Sequence, residues 1–160
     1  MTGEGPASAV IVRISPIHGT GLFAARDIAS GEILCEYRGA RITKDESHRR
    51  SETSETDTPV YRVSFDDDTD IDGDIPDNPA KFANHGCEAN AELVCEGDRL
   101  WLVSCREIPD GSEILFDYGF GLAESLSHPC RCGTPGCVGR ILASPLRPLL
   151  KKHLRRNRVR

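Results

Sequence analysis

Glycine, proline and aspartate interrupt this chain so often that its apolar segments are all short, and this limits what it can fold into. Segments of four to six residues with the composition of strands are Ala9–Ile14, Leu22–Ala25, Ile33–Tyr37, Val60–Phe65, Glu92–Cys95, Leu100–Ser104 and Glu113–Phe116. Long helices are not evident in the pattern. The sequence therefore predicts a mostly β protein with short helices.

Two regions carry clear local signals of opposite kinds. Between Leu93 and Val103, the turn Glu96-Gly97-Asp98 joins two runs of alternating apolar residues, which is typical of a β-hairpin. By contrast, the fifteen residues Lys44–Thr58 contain no apolar side chain. We expect them to form a solvated loop or a frayed surface helix without a catalytic role.

One stretch of the chain is nearly repeated. Residues 26–37 and 106–118 match when one inserted residue is allowed, and each stretch reads as a turn that leads into a strand ending in tyrosine, Tyr37 or Tyr118. Two copies are too few for a solenoid. We therefore expect two similar turn–strand units within one β core.

Size and charge narrow the class of protein. With 160 residues and 38% hydrophobic content, the chain can bury one core, which favours one catalytic domain. Residues 151–160 contribute +6 to the net charge of −5, which leaves −11 for residues 1–150. An acidic body attracts cationic partners, although solubility explains such a charge equally well. The apolar run Ala9–Val12 is too short for a membrane span or a signal-peptide core, so we expect a soluble intracellular protein.

The cysteines indicate a metal rather than disulfides. Seven is an odd number, and three of them are closely spaced, as Cys130, Cys132 and Cys137. Zinc needs four ligands, so this run requires a partner elsewhere, and a run of unmetallated thiols is the alternative. The other cysteines of β-like segments are expected to be buried structural thiols, namely Cys35, Cys95 and Cys105.

The densest polar cluster is the run Phe82-Ala83-Asn84-His85-Gly86-Cys87-Glu88-Ala89-Asn90. Asn84 and His85 together can hold a polar ligand through several hydrogen bonds. Taken alone, a turn capped by asparagine explains the run better. The assignment therefore depends on the rest of the chain.

Read in order, the motifs of this chain resemble those of the SET-domain lysine methyltransferases. They are His18-Gly-Thr-Gly21, Asn84-His85 with Asn90, Phe116-Asp117-Tyr118 and the cysteine run 130–137. The resemblance extends from about Ser15 to Ile141. Lys81 departs from the usual arginine of the family, and Gly86 and Ala89 replace the commoner serine and proline.

The resemblance implies a SET fold of several short antiparallel sheets with a C-terminal pseudoknot and a post-SET zinc loop. The implied divisions are an N-terminal flank (1–14), a SET domain (15–125, with a polar insert at 44–58), a zinc motif (126–141) and a basic tail (142–160). S-adenosylmethionine would be the methyl donor, leaving S-adenosylhomocysteine. One structural zinc would be held by Cys87, Cys130, Cys132 and Cys137, with His85 or His128 as substitutes for Cys87.

The resemblance also implies an active site centred on Tyr118, with Phe116 and Tyr61 beside the reacting atoms. The residues implied in cofactor binding are His18, Gly19, Thr20, Gly21, Tyr61, Phe82, Asn84, His85, Tyr118 and Cys132. For Tyr61 and Tyr37, packing in a β core is at least as good an explanation.

Methyl transfer from a sulfonium requires a neutral lysine opposite the leaving sulfur. Deprotonating a lysine with a pKa near 10.4 at pH 7 costs about 4.6 kcal/mol, and an apolar channel lowers that cost. Phe116 stands where the family divides between tyrosine and phenylalanine. A phenylalanine cannot hold a water there, so a partly methylated lysine can rotate and react again, which predicts di- or trimethylation.

The expected substrate is a lysine in a basic protein, such as a histone-like or ribosomal protein. Seven of the twelve residues 66–77 are aspartate, which indicates a solvated loop or a rim that attracts such a substrate.

The tail 151–160 would bind nucleic acid only weakly. We expect a monomer in the cytoplasm, or in the nucleus or on chromatin if the source is eukaryotic or the protein acts in a host. The alternative is a catalytically silent, peptide-binding SET-like module.

Overall fold

The computed structural model describes residues 8–53 and 60–150. Its strands are β1 (Val10–Ile14), β2 (Thr20–Ala24), β3 (Ile33–Glu36), β4 (Ala40–Thr43), β5 (Arg62–Ser64), β6 (Thr69–Asp72), β7 (Asn84–His85), β8 (Ala91–Glu96), β9 (Arg99–Ser104) and β10 (Leu115–Phe116). The helices are α1 (Lys44–Thr53), α2 (Leu122–Ser125) and two 3-10 helices (Pro79–Phe82 and Ser144–Leu146). The mostly β prediction is confirmed.

The strands form four small sheets. Three are antiparallel, with strand orders β1-β2, β3-β9-β8 and β4-β6-β5. The fourth pairs β7 with β10 in parallel. A shared core lies between the sheets, and its largest fully buried apolar side chains are Leu22, Leu102, Ile108, Ile114 and Leu142.

The hairpin predicted around Glu96-Gly97-Asp98 is present as β8 and β9, paired from Ala91–Ser104 to Glu96–Arg99. Of the two structures expected for the polar stretch, residues 44–53 form a helix, and residues 54–58 lie outside the described part. The Thr43 hydroxyl caps the start of α1 by accepting a hydrogen bond from the Glu46 amide at 3.2 Å. Helix α1 has one buried side chain, Ser47, so the expectation of a surface helix holds.

The two repeated units pair with each other. Ile28 and Ile108 exchange backbone hydrogen bonds of 2.9 and 3.0 Å. Both isoleucines are buried, and a glycine with positive φ follows at the same place in each unit, Gly31 (81°) and Gly111 (75°). The prediction of two similar turn–strand units in one core is therefore confirmed.

Besides the two-residue strand β7, two strands were not predicted from the sequence. In β6, Asp70 and Asp72 belong to the aspartate-rich stretch that indicates a loop, yet this strand is the centre of a three-stranded sheet. Asp70 pairs with Lys44, and Asp72 lies 2.5 Å from the Arg50 guanidinium. Because these cations offset the acidic charge, the strand can form. The other missed strand is β4, which pairs with it.

The expectation of buried thiols was wrong for Cys95 and Cys105, which are exposed, whereas Cys35 is half-buried. Cys95 lies on the edge strand β8, where Ala91 alone is buried. Cys105 follows Ser104, and alternation along the strand gives the buried position to Ser104. Among the described residues, none of the helices is long and apolar enough to cross a membrane.

Candidate active site and metal centre

Parallel pairing of β7 with β10 joins two of the sequence motifs. The register sets Asn84 beside Leu115 and His85 beside Phe116. All four side chains are buried, at 4 to 8% exposure. Two short strands that are remote in sequence thus fix the relative positions of Asn84-His85 and Phe116-Asp117-Tyr118.

The Asn84 side chain ties this pair to the turn between β1 and β2. Its amide nitrogen lies 3.2 Å from the His18 carbonyl, 3.3 Å from the Thr20 carbonyl and 2.8 Å from a carboxylate oxygen of Glu113. An amide NH₂ has two donors, so the three acceptors share them. Asn84 therefore joins the turn at 18–21 to the β7–β10 pair.

Glu113 is a site residue that sequence analysis missed. Besides Asn84, the same carboxylate oxygen accepts a hydrogen bond from the Ser15 hydroxyl at 2.7 Å. That hydroxyl in turn accepts the Ile17 amide at 3.0 Å, which shapes the turn. The sequence feature that could have identified Glu113 is its position as a carboxylate at the start of the apolar run Ile114-Leu115-Phe116.

The same carboxylate explains why position 21 is glycine. A Cβ atom on Gly21 would lie 2.5 Å from the Glu113 oxygen and 2.9 Å from the Ser15 Cβ. Within the predicted cofactor set, Gly21 is buried while His18, Gly19 and Thr20 are exposed. The turn therefore offers an open backbone surface, supported from beneath by Glu113.

Tyr118 is held from both sides. Its hydroxyl donates to the Ala83 carbonyl at 3.1 Å, and its backbone amide donates to His85 Nδ1 at 3.2 Å. The ring lies 4.9 Å from that of Phe116 and 5.4 Å from that of His85. The Tyr118 ring therefore lies within an enclosure of aromatic rings.

The electrostatics of this enclosure favour neutral groups. Burial raises the pKa of Tyr118 above its ordinary value, so the phenol stays protonated near pH 7. Burial also lowers the pKa of His85 to about 4, although Asp117 acts in the opposite direction. His85 is therefore neutral, which leaves its Nδ1 free to accept the Tyr118 amide.

The other predicted aromatic residues lie near one another. The Tyr61 and Phe82 rings are 6.3 Å apart and edge to face, and the Lys81 ammonium lies 5.0 Å and 5.3 Å from their centres. The Tyr61 carbonyl accepts the Tyr37 hydroxyl at 2.9 Å. Tyr37 is 3% exposed and belongs to the hydrophobic core, so its structural interpretation is confirmed. Contacts of Tyr61 and Phe82 with a cofactor stay predictions.

Four cysteine sulfurs lie together: those of Cys87, Cys130, Cys132 and Cys137, all within 4.8 Å of one another. A tetrahedron with Zn–S bonds of about 2.3 Å places sulfurs about 3.8 Å apart. The Cys87 and Cys130 sulfurs are separated by that distance, 3.8 Å, which is too long for a disulfide. The structure thus brings Cys87 to the C-terminal run, and the donor set fits zinc.

The surroundings of the cluster act on its thiols in different directions, since burial raises the pKa of both Cys87 and Cys130. Burial raises the pKa of Cys132, but hydrogen bonds, foremost from the Thr134 hydroxyl, more than offset this and hold it below its ordinary value. Of the substitute ligands, His85 places its Nε2 3.7 Å from the Cys87 sulfur, and His128 instead bonds the Glu124 carbonyl at 2.7 Å.

The aspartate-rich stretch has intramolecular partners. Beyond the two pairs in β6, Asp74 lies 3.2 Å from the Lys81 ammonium, and Asp66 accepts hydrogen bonds from Thr69. Three of the seven aspartates are thus paired with cations within the molecule, and part of the stretch is a strand instead of the expected solvated loop, while its role as a substrate rim stays a prediction.

Comparison with known proteins gives a family and relatives. The family model described as "SET domain" matches residues 19–119. The chain is 33% identical over 129 residues to human "Histone-lysine N-methyltransferase 2D" and 36% identical over 129 residues to "Histone-lysine N-methyltransferase ash1" of Drosophila melanogaster. Each match covers 77% of this chain, but 2% and 6% of the respective relatives. The chain thus corresponds to a small part of these proteins.

Proposed function

The chain belongs to the SET-domain family, and on that premise we propose that it is a protein-lysine N-methyltransferase that uses S-adenosylmethionine. One observation carries the proposal: Asn84 and Glu113 join the open turn at 18–21 to the β7–β10 pair, whose strand β10 leads directly into Tyr118. A methyl donor on that turn and an amine beside Tyr118 would be neighbours. The names of the relatives agree with this reaction.

In the proposed mechanism, S-adenosylmethionine supplies an electrophilic methyl group and the protein orients the acceptor. The Tyr118 phenol is neutral and fixed by the Ala83 carbonyl, so its oxygen can align a lysine amine without acting as a base. The rings of Phe116, His85 and Phe120 around it disfavour the ammonium form of that lysine. Burial thereby contributes to forming the neutral nucleophile.

We propose di- or trimethylated lysine as the product. The Phe116 ring packs 4.9 Å from the Tyr118 ring and is 6% exposed. Lacking a hydroxyl, it cannot hold a water against the amine. A methylated lysine therefore has space to rotate and present its lone pair again.

We propose one structural zinc at the four cysteines. Cys87 lies two residues after His85, whereas the other three cysteines lie in the C-terminal loop. Zinc there would fasten that loop to the active-site segment. Structural zinc contributes on the order of 10–16 kcal/mol in small peptides, which is comparable with the stability of a domain.

The proposed substrate is a lysine in a histone or another basic protein. The relatives are named as histone-lysine methyltransferases, and residues 1–150 carry a net charge of −11. Such a charge raises the encounter rate with a basic segment. We propose that the protein acts as a monomer and that residues 151–160 add weak affinity for nucleic acid.

The test is transfer of labelled methyl groups from S-adenosylmethionine to a panel of basic proteins, with Tyr118→Phe as the matched variant. Labelling of a lysine by the wild type and its loss in the variant are expected. If the wild type labels no protein but retains a basic peptide, the silent-module alternative is correct. Deletion of 151–160 should leave peptide methylation unchanged.

A further inference from the structure

A single arginine joins three segments around the active site. Arg147 follows the 3-10 helix Ser144–Leu146, and its side chain is 12% exposed. Its guanidinium donates to Asp117 Oδ2 at 2.8 Å, to the Leu142 carbonyl at 2.9 Å and to the Cys87 carbonyl. Neither Arg147 nor Asp117 belongs to the predicted site residues.

Asp117, the residue before Tyr118, is held by further hydrogen bonds. The Gly119 amide donates to Oδ1 at 3.0 Å, and the Ser144 amide donates to Oδ2 at 2.8 Å. The carboxylate thus bonds the residue after Tyr118 as well as the C-terminal segment. The carboxylate therefore braces the backbone turn that contains Tyr118 and connects it to the C-terminal segment.

We propose that Arg147 is a positioning residue for methyl transfer, acting on Tyr118 through Asp117 and on Cys87 through its carbonyl. The inference rests on the proposed function. Without Arg147, the Asp117 carboxylate would have no buried cation beside it and would reorient toward water. The turn around Tyr118 would then rearrange. Misplacement of a reacting group by about 1 Å costs roughly 100-fold in rate.

This contribution is separate from that of the metal. Arg147 lies ten residues beyond Cys137, and it contacts Cys87 at the backbone carbonyl and not at the sulfur. Zinc would fasten the loop that contains the cysteines, whereas Arg147 fastens the segment after it. The C-terminal region would therefore act on the active site at two points.

The experiment compares Arg147→Met with Arg140→Met. Arg140 also belongs to the C-terminal region, and its guanidinium donates to the Leu126 and Ser125 carbonyls at 2.6 and 3.3 Å. Arg147→Met should lower kcat for peptide methylation about 10- to 100-fold, with zinc content and KM for S-adenosylmethionine unchanged. Arg140→Met should keep kcat within about threefold of wild type, since its two acceptors lie at the end of α2 and not beside Tyr118.

Arg147→Lys and Asp117→Asn show whether the pair acts as a unit. Lysine keeps the charge but cannot reproduce the planar guanidinium that reaches three acceptors, so an intermediate kcat is expected. In a double-mutant cycle, Arg147→Met combined with Asp117→Asn should be no slower than the worse single variant. Additive losses, or loss of zinc in Arg147→Met, would overturn the proposal.

A spectroscopic measurement separates this proposal from that of the function. The chain has three tyrosines, so protein labelled with fluorotyrosine gives three ¹⁹F signals, and Tyr118→Phe identifies one of them. Arg147→Met should shift the Tyr118 signal and Arg140→Met should not, whether or not a substrate is methylated. An unmoved Tyr118 signal in Arg147→Met contradicts the positioning role.

Discussion

The two repeated units, residues 26–37 and 106–118, share a backbone course but differ in what their polar side chains contact. In the first unit, Glu32 bonds Arg26 and the Ala29 amide within the unit itself. Its counterpart Glu113 bonds Ser15 and Asn84, which are 98 and 29 residues away. The first glutamate closes a local turn, whereas the second joins distant motifs.

The same contrast holds at the ends of the units. Glu36 pairs with Arg38 and Arg99, whose side chains are more than half exposed. The counterpart Asp117 instead pairs with Arg147, which is mostly buried. One sequence pattern thus serves as scaffold in one place and supports the site in the other, and long-range contacts make the difference.

Removing zinc should produce the largest difference between the two repeated units. The four cysteines lie beside the second unit, so chelation should abolish methylation and expose the amides of Gly86 and Asn90, which donate to Phe116 and Leu115. The bridge between Ile28 and Ile108 should keep more protection. Hydrogen exchange before and after chelation, with metal analysis, measures both. Uniform loss of protection would mean that zinc supports the whole domain alike.

Replacing the tyrosine that ends each repeated unit with phenylalanine tests whether the first unit is scaffold and the second supports the site. Tyr118→Phe removes the hydroxyl at the proposed reacting centre and should lower kcat by at least about 100-fold, the typical effect of losing one positioned hydrogen-bonding group. Tyr37→Phe removes a buried hydrogen bond to the Tyr61 carbonyl and should cost about 1 kcal/mol of stability. Measuring kcat and thermal unfolding for both variants shows whether each change affects activity or stability. Equal losses of kcat would contradict the division into scaffold and site.

The paired glutamates allow a milder test. Glu113→Gln keeps an acceptor oxygen but weakens charged hydrogen bonds to Ser15 and Asn84, at a cost of about 1.5 kcal/mol. If that loss falls on the turn at 18–21, KM for S-adenosylmethionine should rise about tenfold. Glu32→Gln, which alters an exposed pair, should leave KM unchanged. A similar rise in both variants would show that the contacts of Glu113 do not support cofactor binding.

The extent to which these features follow from the sequence depends on how local their causes are. The mostly β fold and the hairpin are local patterns, and the sequence predicts them. The motif order indicates the family, and through it Cys87 as the fourth cysteine of the cluster. Glu113 was missed because its partners lie in other segments, and Cys95 was misjudged because the sequence does not reveal that β8 is an edge strand. Strand β6 was not predicted because its aspartates indicate a loop. The sequence does not show that basic side chains of α1 compensate their charge.

The smallest expected effect concerns the product and not the rate. Phe116 matches Cys35 in the first unit, and it packs against Tyr118 at 4.9 Å. Phe116→Tyr adds a hydroxyl that can hold a water near the amine, so a methylated lysine would have less freedom to rotate. The first methyl transfer should keep its rate within about threefold, a small change in activation free energy. Mass spectrometry of a peptide at long reaction times should show monomethyllysine in place of di- or trimethyllysine. If the variant reaches the same state as wild type, space and water at Phe116 do not set the product.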